Sequence, residues 1–154
     1  MQSTLASQSE EPRTWFVVLD PGEELNCAMA QLCRQHGISA ASFVALGAFQ
    51  RARLAYFDWR DKRYHPIPVD QQVEVVTLTG DVVPDEAGNP SVHAHAVLGL
   101  PDGHTRGGHL VEGHVRPTLE ITVTETPAHM VRRRRPEMNL SLIDMGQAVT
   151  RLAV

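Results

Sequence analysis

Two hydrophobic periods follow one another along the chain. Trp15 to Leu19 (WFVVL) is a run of aromatic and β-branched residues ended by Asp20-Pro21-Gly22, which predicts a buried strand and a turn. Leu25, Ala28, Met29, Leu32 and His36 then recur at helical spacing, and Gly37 supplies the stop. Asp20 is placed to cap this helix, with Pro21 in its first turn and Glu23 reaching back. His36 falls in the last turn, where the negative helix end favours a charged imidazole. From Ser39 the period shortens to two: ASFVALGA, RARLAYFDW, VEVVTLTGDVV, SVHAHAVLGL, GGHLVEG and TLEITVTE all read as strands. Arg51 and Arg53 alternate with Ala52, Leu54 and Tyr56, so the arginines take one face and the apolar set the other. Turns are expected at Asp61-Lys62, Pro66 to Pro68, Asp85 to Pro90 and Pro101-Asp102-Gly103. The tail from Arg132 to Val154 opens with four arginines and Pro136, then LSLIDM, and reads as one more edge strand.

One principal helix packed on a mainly antiparallel sheet predicts an α+β fold. The chain has 154 residues, room for one hydrophobic core, so residues 15–154 are expected to form a single domain behind a polar, flexible leader over residues 1–14. No window is apolar enough for a membrane span, and neither a secretory signal nor a lipidation motif is present, so a soluble cytoplasmic protein is the expectation. The balance of 14 Lys+Arg against 18 Asp+Glu gives a net charge of −4. No overall field therefore draws the chain onto phosphate, and nucleic-acid contact would need a local patch such as Arg132, Arg133, Arg134 and Arg135. Cys27 and Cys33 lie six positions apart on the helix, roughly 9 Å along its axis, too far for a disulfide; both read as reduced packing residues.

Eight histidines turn attention to chemistry. His93 and His95 are separated by one residue in a strand, so both imidazoles leave the same face about 7 Å apart. If Pro101-Asp102-Gly103 is a three-residue loop, or opens symmetrically to five, His95 falls opposite His109 and three imidazoles share one face. A two-residue loop would turn His109 to the other side. Gly107 and Gly108 permit a close backbone or ligand approach beside His109. Three neutral imidazoles with no fourth protein ligand describe an open tetrahedral site of the kind in which zinc keeps a water. Zinc is the choice by availability, since nickel, copper and iron also accept imidazole. Glu112, His104 and His114 are the neighbours in sequence that could transfer protons. His65 and His129 read as surface residues.

Several blocks in order, PGEELNCAMAQLCRQHGI, ALGAFQRARLAYFD, VEVVTLTGDVV, VHAHAVLGLPDGHTRGGHLVEG and LEITVTE, make the chain resemble the plant and prokaryote conserved (PPC) domain in its prokaryotic single-domain form, over roughly Trp15 to Leu142. The resemblance implies a mainly antiparallel sheet, assembly as a homotrimer, and metal bound by His93, His95 and His109. Plant members of the family carry AT-hooks and act on AT-rich DNA in transcription regulation, and prokaryotic members are commonly labelled DNA-binding. An AT-hook needs Arg-Gly-Arg-Pro, because glycine lets the backbone lie deep in the minor groove. Here Arg133-Arg134-Arg135-Pro136 has an arginine in the glycine's place, so there is no hook. Gln71 to Val76 (QQVEVV) stands where plant members have the protein-contact segment Gly-Arg-Phe-Glu-Ile-Leu, and keeps its glutamate without its arginine and aromatic. Two functions follow as expectations: a homotrimeric DNA-binding or regulatory protein with a three-histidine metal site, or a metal-dependent small-molecule enzyme or sensor. If DNA is bound, the contact is electrostatic and non-specific.

Overall fold

The computed structural model describes residues 2–7, 12–126 and 130–144. In chain order it contains β1 (Gln2–Ser7), β2 (Thr14–Leu19), α1 (Leu25–His36), β3 (Ala41–Asp58), β4 (Arg63–Val69), β5 (Val73–Pro84), β6 (Pro90–Gly99), β7 (Thr105–Glu125), β8 (Val131–Arg135) and β9 (Leu140–Asp144). Strands β1 to β7 form one sheet in the order β1-β2-β7-β6-β5-β3-β4, and a further pairing of β7 with β3 closes β3, β5, β6 and β7 into a barrel. All of these pairings are antiparallel. Among the described residues there is one helix, so the expected α+β arrangement is present in a strongly β-weighted form. No described helix is long and apolar enough to cross a membrane.

The core fills the barrel and the space beneath α1. Phe49, Leu54, Leu78, Leu98, Leu119 and Ile121 point inward from the strands, and Leu25, Met29 and Leu32 meet them from the helix. The helix ends at Gly37, whose φ of 64° is the left-handed conformation glycine adopts without a side-chain penalty. Its start differs from expectation. Glu24, not Asp20, is the N-cap, its carboxylate accepting from the backbone N–H of Asn26 and Cys27. Asp20 instead begins a turn in which its own N–H donates to Glu23 Oε2. The intervening residues pair with β7: Gly22 N–H donates to the Val115 carbonyl, and Val115 N–H to that of Glu23. His36 stacks on Trp15 with ring centroids 4.3 Å apart. Cys33 is buried as expected, whereas Cys27 is exposed.

The strand reading needs five corrections. ASFVALGA and RARLAYFDW are one 18-residue strand, and GGHLVEG and TLEITVTE are one 21-residue strand, each kept continuous by bulges where the register shifts. One shift lies between Arg53 and Leu54, so the alternation resets there: Arg53 is exposed, Leu54 and Ala55 are both buried, and Tyr56 emerges into solvent. The proline-bearing segment taken for a turn is β4, an edge strand, where a missing N–H can face outward. At the N-terminus, Gln2–Ser7 of the supposed leader lies along β2, since backbone pairing asks nothing of side-chain polarity. The tail is a β8–β9 hairpin in which the arginines themselves form the first strand. Residues 145–154 and His129 lie outside the described residues.

Candidate metal centre

The site is built by the β6–β7 hairpin. Leu100 N–H donates to the His104 carbonyl and Gly103 N–H to that of Leu100, which makes Pro101-Asp102-Gly103 a three-residue loop with glycine at its positive-φ position. Gly99 therefore pairs with Thr105 and His95 with His109, the register in which His109 joins the other two. Ala94 and Ala96 point into the core, leaving His93 and His95 on the outer face. Of the two uses anticipated for Gly108, the close backbone approach is the one the structure contains. A Cβ there would meet the Ala55 carbonyl oxygen at 2.7 Å, so the missing side chain lets β7 close against β3 immediately beside His109.

The three imidazole centroids form a nearly equilateral triangle: 5.2 Å from His93 to His95, 5.1 Å from His93 to His109, and 5.5 Å from His95 to His109. One nitrogen from each ring lies within 4.8 Å of the others. Tetrahedral zinc at about 2.0–2.1 Å from each nitrogen needs the nitrogens roughly 3.4 Å apart, a modest contraction of this triangle. Burial, then the neighbouring His93 and His95 and the Arg132 guanidinium, lower the His109 pKa to about 4, and burial followed by His93 lowers that of His95. Neutral imidazole is the ligating form. His109 Nδ1 is buried with no hydrogen-bond partner. Donor type, spacing and an orphaned buried nitrogen all fit a divalent ion.

Around the triangle stand residues that the sequence reading did not assign to it. Asp81 pairs with His93 across β5–β6 and places Oδ2 3.6 Å from His93 Nδ1. Burial acts to raise the Asp81 pKa, but His93 and Arg132 together hold it below the usual carboxylate value. Tyr64 of β4 packs on His109 at 4.8 Å, with Phe57 behind it at 5.2 Å. Asp81 had a signal: the Asp85 to Pro90 turn sets the β5–β6 register and so puts it opposite His93. Tyr64 had none, because Pro66 and Pro68 hide the strand that carries it.

The proton-transfer candidates are held elsewhere. Glu112 pairs with Arg53 at 2.9 Å, His114 lies 3.9 Å from Glu112, and His104 sits in the exposed loop beside Asp102 at 3.2 Å. The arginine cluster is divided. Arg132 is buried and bonds to Asp81, while Arg133 meets Asp144 at 3.2 Å and Glu86 at 3.5 Å. Arg134 donates to Asn139, and Arg135 meets Asp144 at 3.3 Å.

Comparison with known proteins gives these residues a family. A PPC protein from Pyrococcus horikoshii is 30% identical, covering 93% of this chain and 94% of its own, with a TM-score of 0.79. A protein from Ralstonia eutropha JMP134 described as a "putative DNA-binding protein" is 31% identical, covering 84% and 90%, with a TM-score of 0.77. A metal-containing protein from Archaeoglobus fulgidus is 26% identical, covering 92% and 95%, with a TM-score of 0.78. A search of curated proteins found no match. The Plants and Prokaryotes Conserved (PCC) domain matches residues 6–127, the span that holds the barrel, the helix and all three clustered histidines, and the chain belongs to that family.

Proposed function

We propose that this chain is a homotrimeric, metal-binding PCC-domain protein in which His93, His95 and His109 hold one divalent ion, zinc by availability, with a coordination position left open. The observation that carries the reading is the triangle of imidazoles, in one of which, His109, the buried Nδ1 has no hydrogen-bond partner. The metal-containing relative from Archaeoglobus fulgidus supports it. Self-association is supported by an apolar outer face: Phe16 and Val18 of β2, Val44 and Leu46 of β3 and Val76 of β5 are all exposed. Phe16 and Val44 flank Thr122, and Val18 and Leu46 flank Glu120, so the apolar side chains form two rows across three adjacent strands. Bound at the triangle, a divalent ion would supply Lewis-acid polarisation of a ligand oxygen. His93, His95 and His109 would hold it, Asp81 would keep His93 oriented, and Tyr64 would wall one side. An enzyme or sensor for a small molecule is the use such an open position suits. Elemental analysis of protein purified without added metal, beside a variant with all three histidines replaced by alanine, tests the reading: about one ion per chain is expected in the first and none in the second.

A DNA-binding or regulatory role is the second reading, supported by the description of the Ralstonia eutropha relative. Its local basis is narrower than four arginines, because Arg132 is buried and the other three are partnered. Charge reversal of Arg133, Arg134 and Arg135 tests it. Salt-sensitive DNA affinity that falls after reversal supports the role; unchanged affinity removes the cluster from it.

A further inference from the structure

The family match stops at residue 127, yet the β8–β9 hairpin beyond it returns to the metal centre. Asp85 and Arg132 form a β-bridge. Lys62 Nζ donates to the Glu137 carbonyl at 2.6 Å, and Asn139 Nδ2 donates to the Lys62 carbonyl at 2.9 Å. These contacts fasten the hairpin to the β5–β6 turn and to the β3–β4 turn. Arg132 is the one charged residue that is buried among the described residues, at 8% exposure. Its guanidinium bonds to Asp81 Oδ1, and Asp81 Oδ2 is the oxygen that faces His93.

Burying a guanidinium costs stability unless it is paired and its donors are hydrogen-bonded, and Arg132 Nε is buried with no partner. An arginine serving only to attach the hairpin would do as well on the surface, where Arg133 and Arg135 find carboxylates. Asp81 is not grouped with the three imidazoles as a ligand. Its Oδ2 lies 3.6 Å from His93 Nδ1, and a carboxylate beside a ligating histidine fixes that ring's tautomer and orientation.

We propose that the C-terminal hairpin is a working part of the metal centre: Arg132 is a positioning residue that fixes Asp81, Asp81 orients His93 toward the cation, and hairpin docking is coupled to metal holding. The inference rests on the three-histidine reading above. The coupling is reciprocal, so bound metal must steady the hairpin as much as the hairpin steadies the metal. The sign of one substitution separates this from simple charge effects. Arg132 repels a cation, so its removal through electrostatics alone would tighten metal binding, whereas loss of positioning weakens it.

The test is zinc affinity by chelator competition for the natural chain, Asp81→Asn, Arg132→Met, Arg132→Lys and the Asp81→Asn/Arg132→Met double variant. Amide hydrogen exchange over residues 131–144, with and without zinc, accompanies it. Asp81→Asn is expected to weaken binding about 10- to 100-fold. Arg132→Met should weaken it in the same direction, Arg132→Lys by less, and the double variant no further than Asp81→Asn, because both act through one path. Zinc should slow exchange in the hairpin of the natural chain and not in Arg132→Met. Unchanged or tighter zinc binding in Arg132→Met, or hairpin exchange indifferent to zinc in the natural chain, overturns the coupling. If the natural chain binds no zinc, the three-histidine reading falls and this inference with it; if it binds and the variants match it, the coupling alone falls.

Discussion

Two antiparallel hairpins of this chain each carry a row of basic side chains, and they solve opposite problems. On β6–β7 three imidazoles converge on one another, and of the three His93 is the one paired with the carboxylate of Asp81. On β8–β9 four guanidiniums are divided among partners, Arg133 and Arg135 sharing Asp144, and each meets an acid or an amide of the protein. On the three-histidine reading proposed above, a cation completes the first arrangement, since one nitrogen of each ring lies within 4.8 Å of the others. In the second each guanidinium already has a partner within the protein, although Arg132 Nε is buried without one. Local composition therefore points the wrong way: the arginine run is the louder signal in the sequence, and the quieter histidine pattern is the one that asks for a ligand.

The largest break in this contrast comes from His95→Ala, which should reduce bound metal from about one ion per chain to background, measured by elemental analysis. Stripping metal from the natural chain with a chelator should lower its melting temperature, whereas the variant's should not move, since the ion stabilises only the state that binds it. Next in size is Gly108→Ala. Its added methyl meets the Ala55 carbonyl at 2.7 Å, so β7 must shift beside His109, at a cost of about 1–3 kcal/mol in denaturant unfolding and with weakened metal retention. Gly107→Ala sharpens the point, because its nearest contacts are an ordinary 3.5 Å; it should cost less than about 1 kcal/mol, the loss expected of a tolerated surface change. Smallest is Arg135→Ala, whose half-exposed pairing with Asp144 is worth about 0–1 kcal/mol and whose loss should leave metal content unchanged.

The histidine triangle was legible because a single local feature, the Pro101-Asp102-Gly103 loop, fixes the register that unites His95 with His109. The helix interior was legible for a similar reason: its apolar spacing is short-range. What escaped depends on distant strands. The bulge at Arg53 and Leu54, which reverses the side of Tyr56, arises where β3 lies against β7, more than fifty residues later. β4 escaped because two prolines in seven residues look like a turn until an edge position is known to be available. The cap moved to Glu24 because the residues before it are drawn into pairing with β7, and no helix signal reports that. Asp81 was recoverable from the β5–β6 turn, whereas Arg132 was read for its charge when its role is set by burial.

The two margins of the sheet are unequal. Pro66 and Pro68 sit at alternate positions of β4 and lack the hydrogens an incoming strand would need, and the Pro68 carbonyl is already taken by Arg106 at 2.8 Å. That margin resists edge-to-edge polymerisation. Recruitment of a foreign strand, or exchange of one between copies, is thereby directed to the opposite border, where β1 lies outermost.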